Sequence, residues 1–315
     1  MFALCIESSH ARGMGHFYRA LNLAAVLGRA GKRCKILLNA HEPALRLLSA
    51  AGLEHAVVDL CDDASDWEGR RIDEDAIQVW INDRLDTDPR HADRVKRRGV
   101  SLVTFDDRGA GAARADLHIA ALAFDPDEPL PGRRVLRGVD YLILNPEIAR
   151  YRRVRQDAGR LLVTLGGTDT WGVTVEVVRC LCAAGRAATV IVGPGFRHDA
   201  ELAKVSGSAI EVKRGVPSLI AEFARFDLAI TGGGITPFEA NASGLPCIVV
   251  ANESFEVPVA RELVRLGGSV FAGHHAAMDE SVFTRALPID AMSRAGIAHV
   301  NLEGADRVVR ELLSL

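Results

Sequence analysis

Apolar stretches of strand length alternate along the chain with segments of helical periodicity. Continuous apolar runs begin at positions 2, 34, 55, 76 and 100 in the first half and at 160, 187, 227 and 246 in the second. The helix-like segments between them are 17–30, 44–52, 88–98, 172–185, 217–225, 236–243 and 257–266. Continuous apolar strands separated by helices are typical of parallel sheets covered on both faces. The pattern therefore predicts an α/β fold.

The length of the chain divides this pattern into two domains. Its 315 residues exceed what one ordinary hydrophobic core accommodates. Pro and charged residues cluster at 122–136, which we interpret as a loop of the first domain, and a linker precedes the strand at Leu161. We expect domains at 1–150 and 151–315, with an amphipathic helix closing the chain.

Composition and charge exclude several classes of protein. The net charge of −3 lacks the basic excess of a general nucleic-acid surface. No apolar run reaches the ~18–20 residues of a membrane span, and the N-terminal residues do not have the pattern of a signal peptide. The six cysteines are scattered, as in a cytoplasmic protein with reduced thiols. We expect a cytoplasmic monomer or weak dimer without an integral membrane segment or a nucleic-acid partner.

Three predicted strand-to-helix junctions carry glycine clusters: Gly13–His16, Gly166–Thr168 and Gly232–Thr236. Glycine lets backbone N–H groups approach a ligand closely, and the start of a helix carries a partial positive charge. Ligands of open parallel sheets bind at the carboxyl edge, so three such turns predict a site for a diphosphate. Neither a Walker motif nor a complete Gly-x-Gly-x-x-Gly fingerprint is present, which disfavours P-loop ATP hydrolysis and dehydrogenase chemistry.

These junctions resemble a known family. The stretches 13–27 (GMGHFYRALNLAAVL), 161–174 (LLVTLGGTDTWGVT) and 227–268, which begins DLAITGGGITPFEA, are similar in order and spacing to the PseG/SpsG-like nucleotide-sugar hydrolases. That family includes the UDP-2,4-diacetamido-2,4,6-trideoxy-altropyranose hydrolases and is related to the MurG-like GT-B glycosyltransferases. The resemblance implies a GT-B architecture: two Rossmann-like domains with a nucleotide sugar in the cleft between them.

The resemblance also implies roles for individual residues. His16 matches the histidine that activates water for attack on the anomeric carbon. Glu239 matches a glutamate that holds the ribose hydroxyls, and 216–220 matches the loop that cups the base. The full set of expected substrate contacts is Glu7, Gly13, Gly15, Arg19, Asn82, Arg84, Asp106, Gly166, Gly167, Thr168, Val216, Gly233, Gly234, Ile235, Thr236, Glu239, Asn252 and Glu256.

Three stretches depart from the motifs of the hydrolases: 5–7 (CIE), 82–84 (NDR) and 255–256 (FE). The resemblance therefore implies a nucleotide-sugar site more directly than it implies a particular sugar. We expect neither a cofactor nor a metal, because the adjacent pair His274–His275 lacks the spacing of metal ligands.

Several of these residues also have an ordinary structural interpretation. On position alone, His16 fits a helix-capping or solvated side chain, and Asp106 fits a plain turn. An acid early in a helix, such as Glu239, is favoured by the helix dipole in any protein.

Three functions remain open from the sequence. The first is hydrolysis of a nucleotide sugar, with UDP as the expected nucleotide, in a pseudaminic-type or surface-polysaccharide pathway, with water activated by His16. The second is an inverting glycosyltransferase that uses the same site with a sugar hydroxyl as acceptor. The third is a nucleotide-sugar binder without catalysis.

Overall fold

The computed structural model of the protein describes residues 1–8 and 15–315. Over these residues the chain forms two compact units, one of Met1–Leu144 with Glu303–Leu315 and one of Asn145–Leu302. Each unit is built on one sheet whose paired strands all run parallel. The α/β prediction is confirmed.

The first unit contains seven strands and four helices before the chain leaves it. The strands are β1 (Phe2–Ile6), β2 (Cys34–Leu38), β3 (His55–Val57), β4 (Val79–Asp83), β5 (Ser101–Phe105), β6 (Leu117–Ala120) and β7 (Val135–Arg137). The helices are α1 (Gly15–Arg29), α2 (Glu42–Ala50), α3 (Trp67–Asp75) and α4 (Pro89–Arg97). The strand order is β3-β2-β1-β4-β5-β6-β7, so the direction of winding reverses between β1 and β4.

The second unit repeats this design with six strands. They are β8 (Leu161–Thr164), β9 (Ala188–Val192), β10 (Ile210–Arg214), β11 (Leu228–Gly232), β12 (Cys247–Ala251) and β13 (Ser269–His274). The helices are α5 (Ile148–Tyr151), α6 (Val173–Ala183), α7 (Asp199–Val205), α8 (Leu219–Phe223), α9 (Thr236–Ala242), α10 (Glu256–Arg265) and α11 (Ile289–His299). The order is β10-β9-β8-β11-β12-β13, with the reversal between β8 and β11. Both orders are those of a Rossmann-like sheet.

The last helix, α12 (Gly304–Leu313), belongs to the first unit. Its apolar face, which includes Val308 and Leu312, lies in the same core cluster as Leu23 and Leu27 of α1. The expected division at 1–150 and 151–315 places this helix with the second half. An amphipathic pattern predicts the helix but does not identify the unit that covers its apolar face, so the structure alone supplies this assignment.

The structure also contains elements that the apolar pattern does not predict. Strands β6, β7, β10 and β13 are short, exposed at an edge, or interrupted by polar residues; β10 reads Ile-Glu-Val-Lys-Arg and is half-exposed. Helix α3 is rich in charge, and its first turn is held by Asp66, whose carboxylate accepts a hydrogen bond from the N–H of Gly69. Local capping rather than apolar periodicity therefore determines where α3 begins.

One buried cation, Arg155, holds the second unit together. Its guanidinium is fully buried and donates hydrogen bonds to the backbone oxygens of Arg153, Phe223, Phe226 and Ser243. Two of these oxygens lie at the end of α8 and in the connection after it, and a third follows α9. A planar group with five donors satisfies carbonyls in several directions at once, which a single ammonium does not.

We predict that Arg155→Lys lowers the free energy of unfolding by about 2–3 kcal/mol, because buried carbonyls lose their donors. Urea unfolding followed by circular dichroism measures the change. Arg150→Lys is the matched control, since Arg150 is exposed and pairs only across one helical turn with Glu147; it is expected to stay within ~0.5 kcal/mol of the wild type. Equal stability of the two variants would contradict the structural role of Arg155.

Candidate functional site

His16 and Asp83 meet at the carboxyl edge of the first sheet, where the winding reverses. His16 is the second residue of α1, which follows β1, and Asp83 is the last residue of the neighbouring strand β4. The Nδ1 atom of His16 lies 2.5 Å from Oδ1 of Asp83. Because an ionised carboxylate only accepts hydrogen bonds, Nδ1 carries the hydrogen, and in the neutral imidazole Nε2 is the nitrogen with the lone pair. The pair is arranged as a histidine base oriented by a carboxylate.

Arg19, one turn further along α1, is buried between two carboxylates. Its Nε donates to Oδ2 of Asp83 at 2.7 Å, its Nη1 donates to Oδ2 of Asp106 at 2.5 Å, and its Nη2 donates to Oδ1 of Asp83. The guanidinium carbon also lies 5.0 Å from the centre of the Phe105 ring. Burial opposes the charge of Arg19, but the two carboxylates raise its pKa. Arg19 was expected to contact substrate; the structure instead commits its donors to Asp83 and Asp106.

The same network sets the charge of Asp83. Burial alone would raise the pKa of this carboxyl, but the Arg19 guanidinium and His16 hold it down to about 2. Asp83 therefore stays ionised at every pH at which the protein is ordinarily handled.

Asp106 closes the network from the end of β5. Its backbone has φ +46°, a left-handed conformation that is uncommon for residues other than glycine. Its Oδ1 accepts from the N–H of Leu122 at 2.9 Å while Oδ2 holds Arg19. Both carboxylate oxygens are thus used inside the unit, and this residue braces Arg19 rather than presenting itself as the expected substrate contact.

Asn82 faces away from Asp83, as neighbouring residues of a strand do. Its Oδ1 accepts from Nε1 of Trp80 at 2.9 Å and lies 3.1 Å from Nε2 of His91, and its Nδ2 donates to Oγ1 of Thr87 at 3.1 Å. The side chain is fully buried. Asn82 was expected to contact substrate; in the structure its side chain fixes the β4–α4 connection from inside.

The other expected contacts of the first unit differ in burial and in position. Arg84 is half-buried and donates to the backbone oxygen of Leu60 at 3.3 Å. Glu7 is half-buried directly after β1, and Gly15 is the exposed first residue of α1. Gly13 lies outside the described residues.

The second unit places its two glycine turns side by side, because β8 and β11 are neighbours in the sheet. In the turn after β8, Gly166 has φ +94°, and the backbone oxygen of Gly167 accepts from the N–H of Gly195 at 2.8 Å. Thr168 is half-buried beside them. The turns therefore lie where ligands bind in sheets of this type.

A carboxylate of the protein already occupies the start of α6. Asp169 accepts from the N–H groups of Val173 and Thr174 at 2.8 and 2.9 Å. We expected these helix N–H groups to be open to a diphosphate. The structure corrects that expectation, because an aspartate four residues before the helix caps it.

Glu256 likewise accepts hydrogen bonds from backbone N–H groups in and near the turn after β11. Its Oε2 accepts from the N–H of Asn252 at 2.7 Å and from the N–H of Gly233 at 3.3 Å. The two segments approach so closely that a Cβ at Gly233 would lie 2.7 Å from the Cβ of Glu256. Gly233 is therefore needed for packing, and its N–H is not available as the expected phosphate donor. Asn252 is half-buried next to it, with its Oδ1 lacking a partner in residues 1–8 and 15–315.

The following residues of this turn present open donors. Within the described residues no acceptor meets the N–H groups of Gly234, Ile235 and Thr236. No atom lies within 4 Å of the Cβ position at Gly234, so this side of the turn is open. Successive unpaired N–H groups form a concavity that suits an anion.

Glu239 follows one turn into α9 without a donor. No hydrogen bond or ion pair reaches its carboxylate from the part of the chain that the structure describes. Burial raises its pKa to about 7. Val216, the remaining expected contact, is half-buried in the β10–α8 connection, after Gly215 with φ +61°. The described residues contain no group of three or more His, Cys, Asp or Glu side chains placed to hold a metal ion.

Comparison with known proteins shows the fold. The chain is similar over 100% of its length to MurG of Acinetobacter baumannii (12% identity, 99% of that chain, TM-score 0.70). It is similar over 99% to the spinosyn rhamnosyltransferase SpnG complexed with thymidine diphosphate (17% identity, 100% of that chain, TM-score 0.64). A third similar structure is the UDP-GlcNAc 2-epimerase of Neisseria meningitidis bound to UDP-GlcNAc (12% identity, 100% of both chains, TM-score 0.64). The fold is GT-B.

Relatives in sequence are distant. An uncharacterised protein of Methanocaldococcus jannaschii is 24% identical over 79% of this chain, which spans 55% of that protein's length. The spore coat polysaccharide biosynthesis protein SpsG of Bacillus subtilis is 24% identical over 85% of this chain and 82% of its own. No protein-family model matches. No helix of the described residues is long and apolar enough to cross a membrane.

The main site residue that the sequence analysis leaves out of its set of contacts is Asp83. Its signal is present in the sequence: β4 begins with three apolar residues and ends with Asn82 and Asp83, and polar residues at the end of a parallel strand lie at the carboxyl edge of the sheet. What the sequence does not supply is that β4 pairs with β1, which brings Asp83 beside a histidine 67 positions away.

We predict that the stabilising effect of Asp83 is lost in acid. Its folded pKa of about 2 lies below the ordinary value of 3.8, so this contribution is present above about pH 4 and disappears as pH falls towards 2. The gap in free energy of unfolding between wild type and Asp83→Asn is expected to narrow by about 2 kcal/mol over that range. Urea unfolding at pH 4 and pH 2 measures it, with the exposed Asp290→Asn as control. A pH-independent gap for Asp83→Asn would refute the prediction.

Proposed function

We propose that this protein cleaves the bond between a sugar and a nucleotide diphosphate, with His16 as the base that activates the attacking oxygen. The observation that carries the proposal is the His16–Asp83 pair at the point of the first sheet where the winding reverses.

The proposed reaction starts from the neutral imidazole of His16. The Nε2 lone pair takes the proton of the attacking O–H group while the oxygen of that group bonds to the anomeric carbon. The bond from that carbon to the diphosphate oxygen breaks, and the diphosphate leaves with the electron pair. Asp83 fixes the imidazole and stabilises the imidazolium that forms; a positioned base of this kind contributes roughly 10²–10⁴ in rate.

The nucleotide side is assigned to the turn after β11 and its neighbours. The N–H groups of Gly234, Ile235 and Thr236 are suited to the negative charge of the leaving diphosphate. Glu239, whose carboxylate meets no donor in the described part of the chain, is suited to the ribose hydroxyls. The connection that contains Val216 is assigned to the base. The TDP and UDP-GlcNAc complexes named for proteins of the same fold support a nucleotide ligand.

Water is the acceptor that the motif resemblance at 13–16 favours, which makes hydrolysis the first form of the proposal. Transfer to a sugar hydroxyl is the second form, and it is favoured by the similarity to MurG and SpnG. The name of the Bacillus subtilis relative supports a place in surface-polysaccharide synthesis for either form.

We predict that purified protein releases nucleotide diphosphate from one of UDP-, TDP- or GDP-linked sugars, and that His16→Gln slows release at least ~100-fold. Loss of the base without loss of the turns explains the effect. Coupled detection of the free nucleotide measures it, and His55→Gln, at a half-buried histidine of β3 in the same unit, is the control.

Release without added acceptor supports hydrolysis, and release only with a saccharide acceptor supports transfer. Undiminished release by His16→Gln would sink the assignment of the base. Binding without turnover under every condition would leave only a nucleotide-sugar binder.

We also predict that Gly234→Ala weakens binding of the nucleotide diphosphate about tenfold while leaving the melting temperature unchanged. The added methyl group meets no protein atom, so it enters the space assigned to the phosphates. Titration calorimetry measures the affinity. Gly28→Ala is the matched control, since it is equally open but lies on α1. Equal affinities of the two variants would contradict the placement of the phosphates.

A further inference from the structure

Trp171 is an exposed indole that is nevertheless held in one orientation. It is 55% exposed, in the connection between β8 and α6. Its Nε1 donates to Oε1 of Glu253 at 3.0 Å, and its ring stacks on that of His275 with centroids 5.0 Å apart and an angle of 14°. His275 in turn contacts the ring of His274 at 4.3 Å. The indole is therefore fixed at its edge and on one face.

The sheet order shows what this ring passes over. Trp171 follows β8, Glu253 follows β12 and His275 follows β13, while β11 lies between β8 and β12. Two strand spacings separate β8 from β12, which is about 10 Å. The connection and its indole therefore extend along the carboxyl edge past the turn after β11, which contains the open N–H groups of Gly234, Ile235 and Thr236.

The strand order also indicates where the base and the glycosyl group of a nucleotide sugar would lie along the sheet edge. The connection that contains Val216 follows β10, at the opposite edge of the sheet from β13. With the base at β10 and the diphosphate at the β8 and β11 turns, the glycosyl group extends towards β12 and β13. Trp171 and its partners lie on that side.

We propose that Trp171 is a specificity-determining residue that packs its indole against the apolar face of the glycosyl group. This inference rests on the proposed function. An aromatic ring that is already ordered provides apolar contact area without the entropic cost of immobilising a side chain on binding. Glu253 holds the ring edge and carries a second carboxylate oxygen suited to a sugar hydroxyl.

The test compares ligands with and without the sugar. The wild type is first titrated by calorimetry with UDP, TDP and GDP. The nucleotide that binds most tightly is then used with its matching nucleotide sugar, UDP-N-acetylglucosamine, TDP-rhamnose or GDP-mannose. Trp171→Ala is expected to weaken binding of the nucleotide sugar 5- to 20-fold and to change binding of the diphosphate less than twofold. Trp171→Phe keeps a ring but loses the hydrogen bond to Glu253. Its affinity for the nucleotide sugar is expected to lie between those of the wild type and Trp171→Ala. Val264→Ala is the control, since Val264 is 42% exposed near the end of α10, at the opposite end of that helix from Glu253.

A second readout uses the unmodified protein. Of its three tryptophans, Trp67 and Trp80 are buried, so quenching of fluorescence by acrylamide reports Trp171. We expect the nucleotide sugar to protect Trp171 from quenching and the diphosphate alone to give no protection.

Three results would overturn the inference. Equal loss of affinity for diphosphate and nucleotide sugar would assign Trp171 to the nucleotide. Unchanged affinity for both, with no protection from quenching, would remove it from the site while leaving the proposed function in place. A wild type that binds none of these ligands refutes the proposed function and this inference together.

Discussion

The carboxyl edge of the first sheet depends on one buried cation. Arg19 is enclosed by carboxylates from the ends of β4 and β5, and a charge removed from water in this way is tolerated only when it is paired. The pairing fixes α1 against the sheet and thereby sets where His16 lies relative to Asp83. Loss of either aspartate leaves buried donors of Arg19 without an acceptor, so the orientation of His16 and the stability of the unit depend on the same three side chains.

In the second unit, backbone N–H donors are paired with carboxylates in a similar way. Asp169 and Glu256 each use a carboxylate to satisfy N–H groups that the glycine turns would otherwise leave open. Over residues 1–8 and 15–315, the N–H groups of Gly234, Ile235 and Thr236 have no such partner. The acids of the protein thus determine which N–H groups at a glycine-rich edge are left without an acceptor. The glycine motif read from the sequence alone suggests more open N–H groups than the structure contains.

The sequence predicts well what depends on burial over a short stretch. Strands such as β1 and β11, which are apolar on both faces, and the glycine turns that follow them are visible in the pattern. Elements stabilised by an edge position or a cap, such as β10 and α3, are not. The site shows the same limit: the position of His16 follows from its motif, whereas its pairing with Asp83 depends on strand order, and the burial of Asn82 depends on which face of β4 it occupies.

Glu239 shows how burial of an acid affects the stability of the fold. Its carboxyl is largely shielded from water and has no donor among the residues that the structure describes, so its pKa rises to about 7. Since that value lies above the ordinary 4.5, the unliganded fold is favoured by the protonated form and loses stability as pH rises from 4.5 towards 7. A carboxyl buried in this way therefore lowers the stability of the fold at neutral pH, and a hydrogen-bond donor that reached it would reverse that loss.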